Sequence, residues 1–169
     1  MNYFNQESER LIFRKLSSAD ISTWTEFFVN NDHLEYLGLD SSKTPEANAT
    51  EWINRQLQRY ADDEFGHLAV IEKCSGDFVG MGGLLIREIK GAKEFEIGYS
   101  LKPVFWGKGY GTEIAIQIKK YGDENKVAKR FISIIHTKNS RSIRVAEKNE
   151  MVFMSKTEFQ NMPVFIYST

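Results

Sequence analysis

Three glycines lie close together in the middle of the chain, in the segment Trp106–Thr112, which reads WGKGYGT. Glycine lets a backbone adopt left-handed conformations and approach a ligand closely, which leaves amide N–H groups uncovered. A helical pattern begins at Thr112, and a helix N-terminus adds unpaired N–H donors and the positive end of its dipole. This combination predicts a turn that binds a phosphate group.

Two familiar phosphate-binding motifs do not fit this spacing. A dinucleotide-binding turn needs G-x-G-x-x-G, but Gly107 and Gly109 are followed by Thr112 where the third glycine belongs. A Walker loop needs G-x-x-x-x-G-K-[ST], but Lys102 occupies its first glycine position and a glycine follows Lys108. Both motifs also require a parallel βαβ unit, whereas antiparallel hairpins are expected before this loop. Nucleotide binding of either kind therefore fails on spacing.

The elements that position the loop follow from the periodicity of apolar residues. Three consecutive antiparallel strands are expected over His67–Glu72, Phe78–Arg87 and Glu94–Leu101, and a helix begins at Thr112. The whole order is strand, two helices, three strands, helix, strand, helix and two strands. The remaining elements are a strand at Arg10–Leu16, a helix after Ser17–Asp20, a helix from Thr44 to about Asp62, a strand at Arg130–His136, a helix at Asn139–Asn149, and strands at Met151–Phe159 and Pro163–Tyr167.

Length and composition limit the class of protein. The chain has 169 residues, 41% of them hydrophobic, which suits one buried core, so we expect a single domain. Its 22 basic and 23 acidic side chains nearly cancel, which excludes a global field toward nucleic acid or membranes. The single Cys74, the polar N-terminus and the lack of a long apolar run favour the cytoplasm. His33, His67 and His136 lack metal-ligand spacing, so no metal site is expected.

The loop after EIGYSL, together with NSRSIRVAEKNEM further on, resembles the GNAT superfamily of N-acetyltransferases, and within it the ribosomal-protein alanine acetyltransferases of the RimJ/RimL type. The resemblance extends from about Arg10 to Tyr167. It implies an α/β fold of the α+β type, in one domain over residues 1–169. Its sheet is mixed and mostly antiparallel, with six to seven strands flanked by about four helices.

The resemblance also implies a cofactor and its ligands. In that family the pattern [QR]-x-x-G-x-[GA] binds the pyrophosphate of acetyl-coenzyme A (acetyl-CoA) through backbone amides, and here tryptophan takes the first position. The backbone of Ser100 and Leu101 would pair with the pantetheine arm, and Asn139 would orient the far end of the cofactor. Lys108 would add positive charge near the phosphates. The implied loop residues are Trp106, Gly107, Lys108, Gly109, Tyr110, Gly111 and Thr112.

The resemblance suggests one residue for the chemistry, and the need to deprotonate the amine suggests two more. Many relatives have a tyrosine seven positions after the asparagine, but this chain has Ala146 there, so Ser142 is the hydroxyl left to protonate the departing sulfur. Glu96 is the first candidate for general base, and Glu94, on the same strand face, is the next. After the last long helix, Asn149 is expected to adopt the left-handed cap conformation.

The acceptor amine decides how much base the reaction needs. A lysine-like amine with a pKa of about 10.4 must lose its proton at a cost of about 4–5 kcal/mol at pH 7, whereas a protein N-terminal amine lies only about 1 unit above pH 7. Both acceptor types stay open, and a homodimer is one of the assemblies the sequence allows. The alternative function, suggested by Ala146, is a non-catalytic module that binds acyl-CoA.

Overall fold

The computed structural model describes residues 2–40 and 42–169, and its centre is one sheet of eight strands. Their order across the sheet is β1-β2-β3-β4-β5-β6-β8-β7, and every neighbouring pair is antiparallel except β5 and β6. This confirms the mixed, mostly antiparallel sheet. The strands are β1 (Asn5–Glu7), β2 (Leu11–Arg14), β3 (His67–Glu72), β4 (Phe78–Ile89), β5 (Ala92–Leu101), β6 (Ile132–His136), β7 (Val152–Phe159) and β8 (Met162–Ser168).

The sheet has one strand more than expected because the polar segment Asn5–Glu7 pairs with β2. Three residues with one buried side chain are too short to show an alternating pattern in the sequence. Four α-helices flank the sheet within the described residues, as expected, together with short 3₁₀ turns. The helices are α1 (Ile21–Thr25), α2 (Pro45–Ala61), α3 (Tyr110–Glu124) and α4 (Ser140–Lys148).

Two apolar cores cover the two faces of the sheet. On one face, α3 packs Ile114 and Ile118 against Phe13 and Leu68 of the strands. On the other face, α1 and α2 pack on a second core, whose main members are Trp24, Phe27, Ile53 and Met81. Helix α3 thus covers one face of the sheet, and helices α1 and α2 cover the other.

Local sequence signals explain where the helices start and continue. Thr44 caps α2, because its hydroxyl accepts a hydrogen bond from the Ala47 N–H at 3.2 Å and proline follows at the first helical position. α3 continues through Gly122, where an added Cβ would lie 2.4 Å from the Phe131 ring. At the end of α4, Asn149 keeps a φ of −90°, and Glu150 takes the left-handed conformation at +60° instead, so the expectation for Asn149 was wrong.

The parallel strands β5 and β6 stay together over a very short distance. Glu96 and Ile132 form the single bridge between them, and the Ser133 hydroxyl adds a hydrogen bond to the Ile97 carbonyl at 3.2 Å. Beyond this point β5 runs on to Leu101 beside β4, with no pairing to β6. The two strands therefore diverge after the Glu96–Ile132 bridge, and we call the gap between them the wedge. The edge of β5 that faces the wedge is unpaired.

Within the described residues, no helix has both the length and the apolar character needed to cross a membrane.

Candidate functional site

The glycine loop follows directly after β5, with a 3₁₀ turn at Pro103–Phe105 leading into it. Gly107 and Gly109 have φ angles of +77° and +84°, in the left-handed region that favours glycine. A Cβ added at Gly107 would meet no other atom within 4 Å, so the space above the loop is open. α3 begins at Tyr110, two residues earlier than expected, and Gly109 has no side chain to cap it. The first turn of α3 therefore offers its N–H groups to a ligand.

Contacts beneath the loop hold it in place. The Arg10 Nη1 donates to the Lys108 carbonyl at 3.1 Å, and the Arg10 Nε donates to a Glu113 carboxylate oxygen at 2.7 Å. Tyr110 is buried, its ring lies 4.5 Å from the Arg10 guanidinium, and its hydroxyl donates to Glu72. These contacts order the loop without a ligand, which lowers the entropic cost of binding one.

A cleft of about 550 Å³, which we call the outer cleft, extends from the loop along the end of β5 to α4. The structure brings nearly all of the expected cofactor-binding residues together around it, and Ser142 also lines it. The exception is Lys108, whose ammonium group lies 5.0 Å from the centre of the Phe105 ring. The expected residues that line the outer cleft are Ser100, Leu101, Trp106, Gly107, Gly109, Tyr110, Gly111, Thr112 and Asn139.

Positively charged side chains of α4 line the outer cleft, and this was not expected from the sequence. Arg141, Arg144 and Lys148 line it, and the Arg141 guanidinium lies 4.8 Å from the centre of the Trp106 ring. Their spacing of three and seven residues places them on one face of a helix, and this was the signal available in the sequence. An anion in the outer cleft would thus lie between these cations and the N-terminus of α3.

The open edge of β5 presents alternate residues to the wedge. The Lys102 N–H donates across to β4 at 3.0 Å, and because antiparallel pairs alternate, Ser100 also directs its backbone groups toward β4. Tyr99 and Leu101 direct theirs toward the wedge, where the Leu101 carbonyl accepts a hydrogen bond from the Trp106 indole at 2.9 Å. A ligand that pairs with this edge would therefore use Leu101 and Tyr99, rather than Leu101 and Ser100.

The hydroxyl groups of Ser142 and Tyr99 lie close together between the wedge and α4. Asn139 caps this helix by accepting a hydrogen bond from the Ser142 N–H at 3.1 Å, which places the Ser142 side chain in the outer cleft. The buried Tyr99 hydroxyl lies near it and has no hydrogen-bond partner among the described residues. Burial raises the pKa of Tyr99 to about 12, and the Ser142 hydroxyl offsets part of that rise. Tyr99 was missed because its alternation with Glu96 and Gly98 is that of an ordinary core residue.

A second cavity, of about 190 Å³, extends from the wedge toward α2, and its walls come mainly from β4, β5, β6, α2 and α4. We call it the inner cavity. Glu96 lines it, is 8% exposed, and accepts a hydrogen bond on Oε2 from the Arg87 Nε at 2.5 Å. Its partner is thus Arg87, not the neighbouring lysines. Glu94, the second candidate base, pairs with Arg130 and lines neither cavity, so the structure does not place it in the site.

The outer cleft and the inner cavity meet at the wedge. Several residues line both, so the two spaces are adjacent and share walls; they are Tyr36, Leu37, Tyr99, Ser100, Asn139, Ser142 and Val145. A group held at the end of the outer cleft would therefore contact a molecule held in the inner cavity. In the described part of the chain, no group of histidine, cysteine or acidic residues could hold a metal ion.

Comparisons with known proteins agree with this geometry. Residues 10–152 match the family described as the acetyltransferase (GNAT) domain. YkkB of Bacillus subtilis (strain 168) is 26% identical over 162 residues, which cover 95% of this chain and 92% of YkkB.

Two solved structures share the fold. The GNAT-family acetyltransferase from Bacillus anthracis has a TM-score of 0.78 at 22% identity, covering 98% of this chain and 97% of its own. RimL, a ribosomal-protein alpha-N acetyltransferase solved in complex with coenzyme A, has a TM-score of 0.74 at 18% identity, covering 96% and 94%.

Proposed function

The chain belongs to the GNAT acetyltransferase family, and on that premise we propose that it transfers the acetyl group of acetyl-CoA directly to a primary amine. Members of this family are acetyl-CoA-dependent acyltransferases, so the enzyme class follows from membership. We further propose the amine as acceptor, a direct attack without a covalent enzyme intermediate, and the residues that carry out each step. Because the single cysteine, Cys74, is free and exposed, we also propose that the enzyme acts in the reducing cytoplasm.

The observation that carries the proposal is the connection of the two cavities through the wedge. A glycine loop and the N-terminus of α3 lie at one end of the outer cleft, where Gly107 leaves open space for a phosphate. The cationic face of α4 lies opposite, with Arg141 and Arg144. The outer cleft then leads along β5 to the inner cavity. This arrangement fits a long, anionic cofactor whose reactive end must meet a second substrate.

Backbone groups at the wedge would hold the narrow part of acetyl-CoA. The N–H and carbonyl groups of Tyr99 and Leu101 face the wedge, where β6 no longer pairs with β5. The extended pantetheine arm of the cofactor can therefore pair with this edge like an added strand. The Leu101 carbonyl accepts a hydrogen bond from the Trp106 indole in this structure. This hydrogen bond must break when the cofactor binds, or the carbonyl must accept from both groups. Acetyl-CoA supplies an activated thioester, and the residues of the wedge orient it.

Proton handling falls to side chains on the two sides of the wedge. Glu96 reaches the inner cavity, and its Oε1 is free of hydrogen bonds to the described residues, so it can accept the proton that the amine loses, directly or through water. On the other side, the hydroxyls of Tyr99 and Ser142 stabilise the sulfur as the thioester bond breaks. Tyr99 thereby supplies the phenol that the sequence lacks at position 146.

A ligand panel tests the cofactor assignment. Acetyl-CoA and coenzyme A should raise the unfolding midpoint, whereas ATP and NAD should not, because a ligand that binds the native state stabilises it by mass action. Gly109→Trp should remove the shift, since a large side chain would fill the loop and strain a φ of +84°. Gly76→Trp is the matched control, with a left-handed glycine at +77° in the β3–β4 turn. Stabilisation by ATP or NAD alone would contradict the assignment.

A further inference from the structure

The inner cavity carries an excess of positive charge. Arg55 and Arg59 of α2 and Arg87 of β4 line it, and among its described lining residues Glu96 alone is acidic. Glu96 is already paired with Arg87 at 2.5 Å. The two arginines of α2 are therefore the cations whose charge is not balanced within the cavity.

The carboxylates that pair with these two arginines are exposed, and both ion pairs are long. Arg59 Nη1 lies 3.8 Å from Glu64, whose side chain is 45% exposed. Arg55 lies 3.4 Å from Glu51, which also binds Lys43 at 2.5 Å. In both pairs the carboxylate is an exposed side chain, and ion pairs with such partners contribute little to stability. They leave both guanidinium groups able to bind an anion in the cavity.

Buried nitrogen atoms without hydrogen-bond partners lie around the same space. Within the described residues, the buried Arg59 Nε, the Trp52 Nε1 and both ring nitrogens of His67 have no hydrogen-bond partner. His67 is only 6% exposed, and its Nε2 lies so near β5 that a Cβ on Gly98 would be 3.0 Å away. Buried donors are rarely left unpaired in folded proteins. A group rich in acceptor oxygens would satisfy the donors among these atoms, namely the guanidinium N–H, the indole N–H and the single N–H of a neutral imidazole.

The protonation state of His67 also favours binding of an anion in the inner cavity. Burial, followed by repulsion from Arg87, Arg59 and Arg55, lowers the pKa of His67 to about 3, so the ring is neutral at pH 7. Burial and the nearby Arg87 also lower the pKa of Arg59. The neutral imidazole retains one N–H donor. The cavity thus presents guanidinium, indole and imidazole donors to its contents.

Resting on the proposed function, we propose that the acceptor is a small amine with a carboxylate or phosphate group in the same molecule. Arg59, with Arg55, Trp52 and His67, binds the anion, while the amine faces Glu96 at the wedge. A C–N bond forms as the C–S bond breaks. The nitrogen gives its proton to Glu96 or water, and the sulfur keeps the electron pair. The volume of about 190 Å³ favours a small molecule over a folded protein.

Matched pairs of amines test this inference with the full chain and acetyl-CoA. O-phosphoethanolamine is compared with ethanolamine, and β-alanine with β-alaninamide, by thiol release at fixed pH. The anionic member should have a kcat/KM about tenfold higher or more, because hydrogen bonds to charged groups are strong. The comparison is conservative, since a nearby anion raises the pKa of an amine and reduces its neutral fraction.

Variants locate the preference. Arg59→Gln should reduce the ratio of anionic to neutral acceptor to about threefold or less, whereas Lys120→Gln, on the exposed face of α3, should leave it unchanged. The anionic amine alone should raise the unfolding midpoint of the wild type more than that of Arg59→Gln. If Arg59→Gln does not fold, the wild-type panel still decides.

The outcomes separate this inference from the proposed function. Acetylation of neutral amines as fast as their anionic partners would overturn the inference and leave acetyl transfer intact. A peptide that begins with an acidic residue is assayed beside the small amines, and acetylation confined to this peptide would overturn the assignment to a small molecule. No transfer to any amine would overturn both.

Discussion

Replacing Tyr99 with phenylalanine tests the role of the wedge in stabilising the departing sulfur. The substitution removes one buried hydroxyl beside Ser142 and leaves the ring that packs on Gly111. The Tyr99 backbone, which faces the wedge, is unchanged. Binding of acetyl-CoA should therefore stay within about threefold, while kcat falls.

The size of the effect follows from acidity. A thiol such as that of cysteine has a pKa of about 8.5, while that of Tyr99 is about 12. Full proton transfer from Tyr99 to the sulfur would be uphill by about 3.5 units, or about 5 kcal/mol. Tyr99 should instead donate a hydrogen bond to the developing negative charge. Hydrogen bonds to charged groups contribute about 1.5–3 kcal/mol, so kcat should fall about 10- to 100-fold.

Steady-state thiol release and acetyl-CoA binding by calorimetry measure the two quantities. Tyr121→Phe is the matched control, because Tyr121 is buried on α3 and lines neither cavity. The double variant with Ser142→Ala should lose less than the sum of the two single effects, since the hydroxyls act on one atom. A kcat for Tyr99→Phe within twofold of the wild type would refute this reasoning.

Three further predictions test the base, the buried histidine and the core. Glu96→Gln should lower kcat/KM about 10²- to 10⁴-fold, with the largest loss for acceptors of highest amine pKa, and an equal loss for all acceptors would remove Glu96 as the base. Because the pKa of His67 is lowered to about 3 in the folded state, the unfolded state binds more protons between about pH 3 and 6.5. The unfolding midpoint should therefore fall as the pH decreases through that window. His67→Gln should reduce the pH dependence of stability by about one proton, and an unchanged slope would contradict this prediction. Gly122→Ala should lower the free energy of unfolding by about 1–3 kcal/mol in urea titration, because the added methyl group meets the Phe131 ring at 2.4 Å, and an unchanged midpoint would show that Phe131 moves freely.

Much of the fold could be predicted because its signals are local. Apolar alternation located β3, β4 and β5, and the threonine and proline at the start of α2 marked its first turn. The segment Asn5–Glu7 gave no such signal, because its strand exists only through pairing with β2. The left-handed residue after α4 was also misplaced by one position, to Asn149 instead of Glu150, because the Asn149 N–H still donates to the Val145 and Ala146 carbonyls of the helix.

The geometry of the candidate site could be predicted where it depends on the backbone, and less so where it depends on side chains from distant elements. The glycine spacing located the loop, but the position of Lys108 over Phe105 depends on the 3₁₀ turn before it. The pairing of Glu96 with Arg87 depends on the register of β4 and β5. The cluster of Arg55 and Arg59 with Arg87 forms only when α2 packs on the sheet, so no spacing in the sequence could show it.

The central claim is that one cofactor and one amine meet at the wedge between β5 and β6. Its most direct test is to incubate the protein with acetyl-CoA and an amine, and to measure acetylated amine by mass spectrometry and free coenzyme A by thiol titration. Equal amounts of both products, abolished together by Gly109→Trp and retained by Gly76→Trp, are the predicted result. Free coenzyme A without acetylated amine, or neither product with any acceptor, would contradict the account.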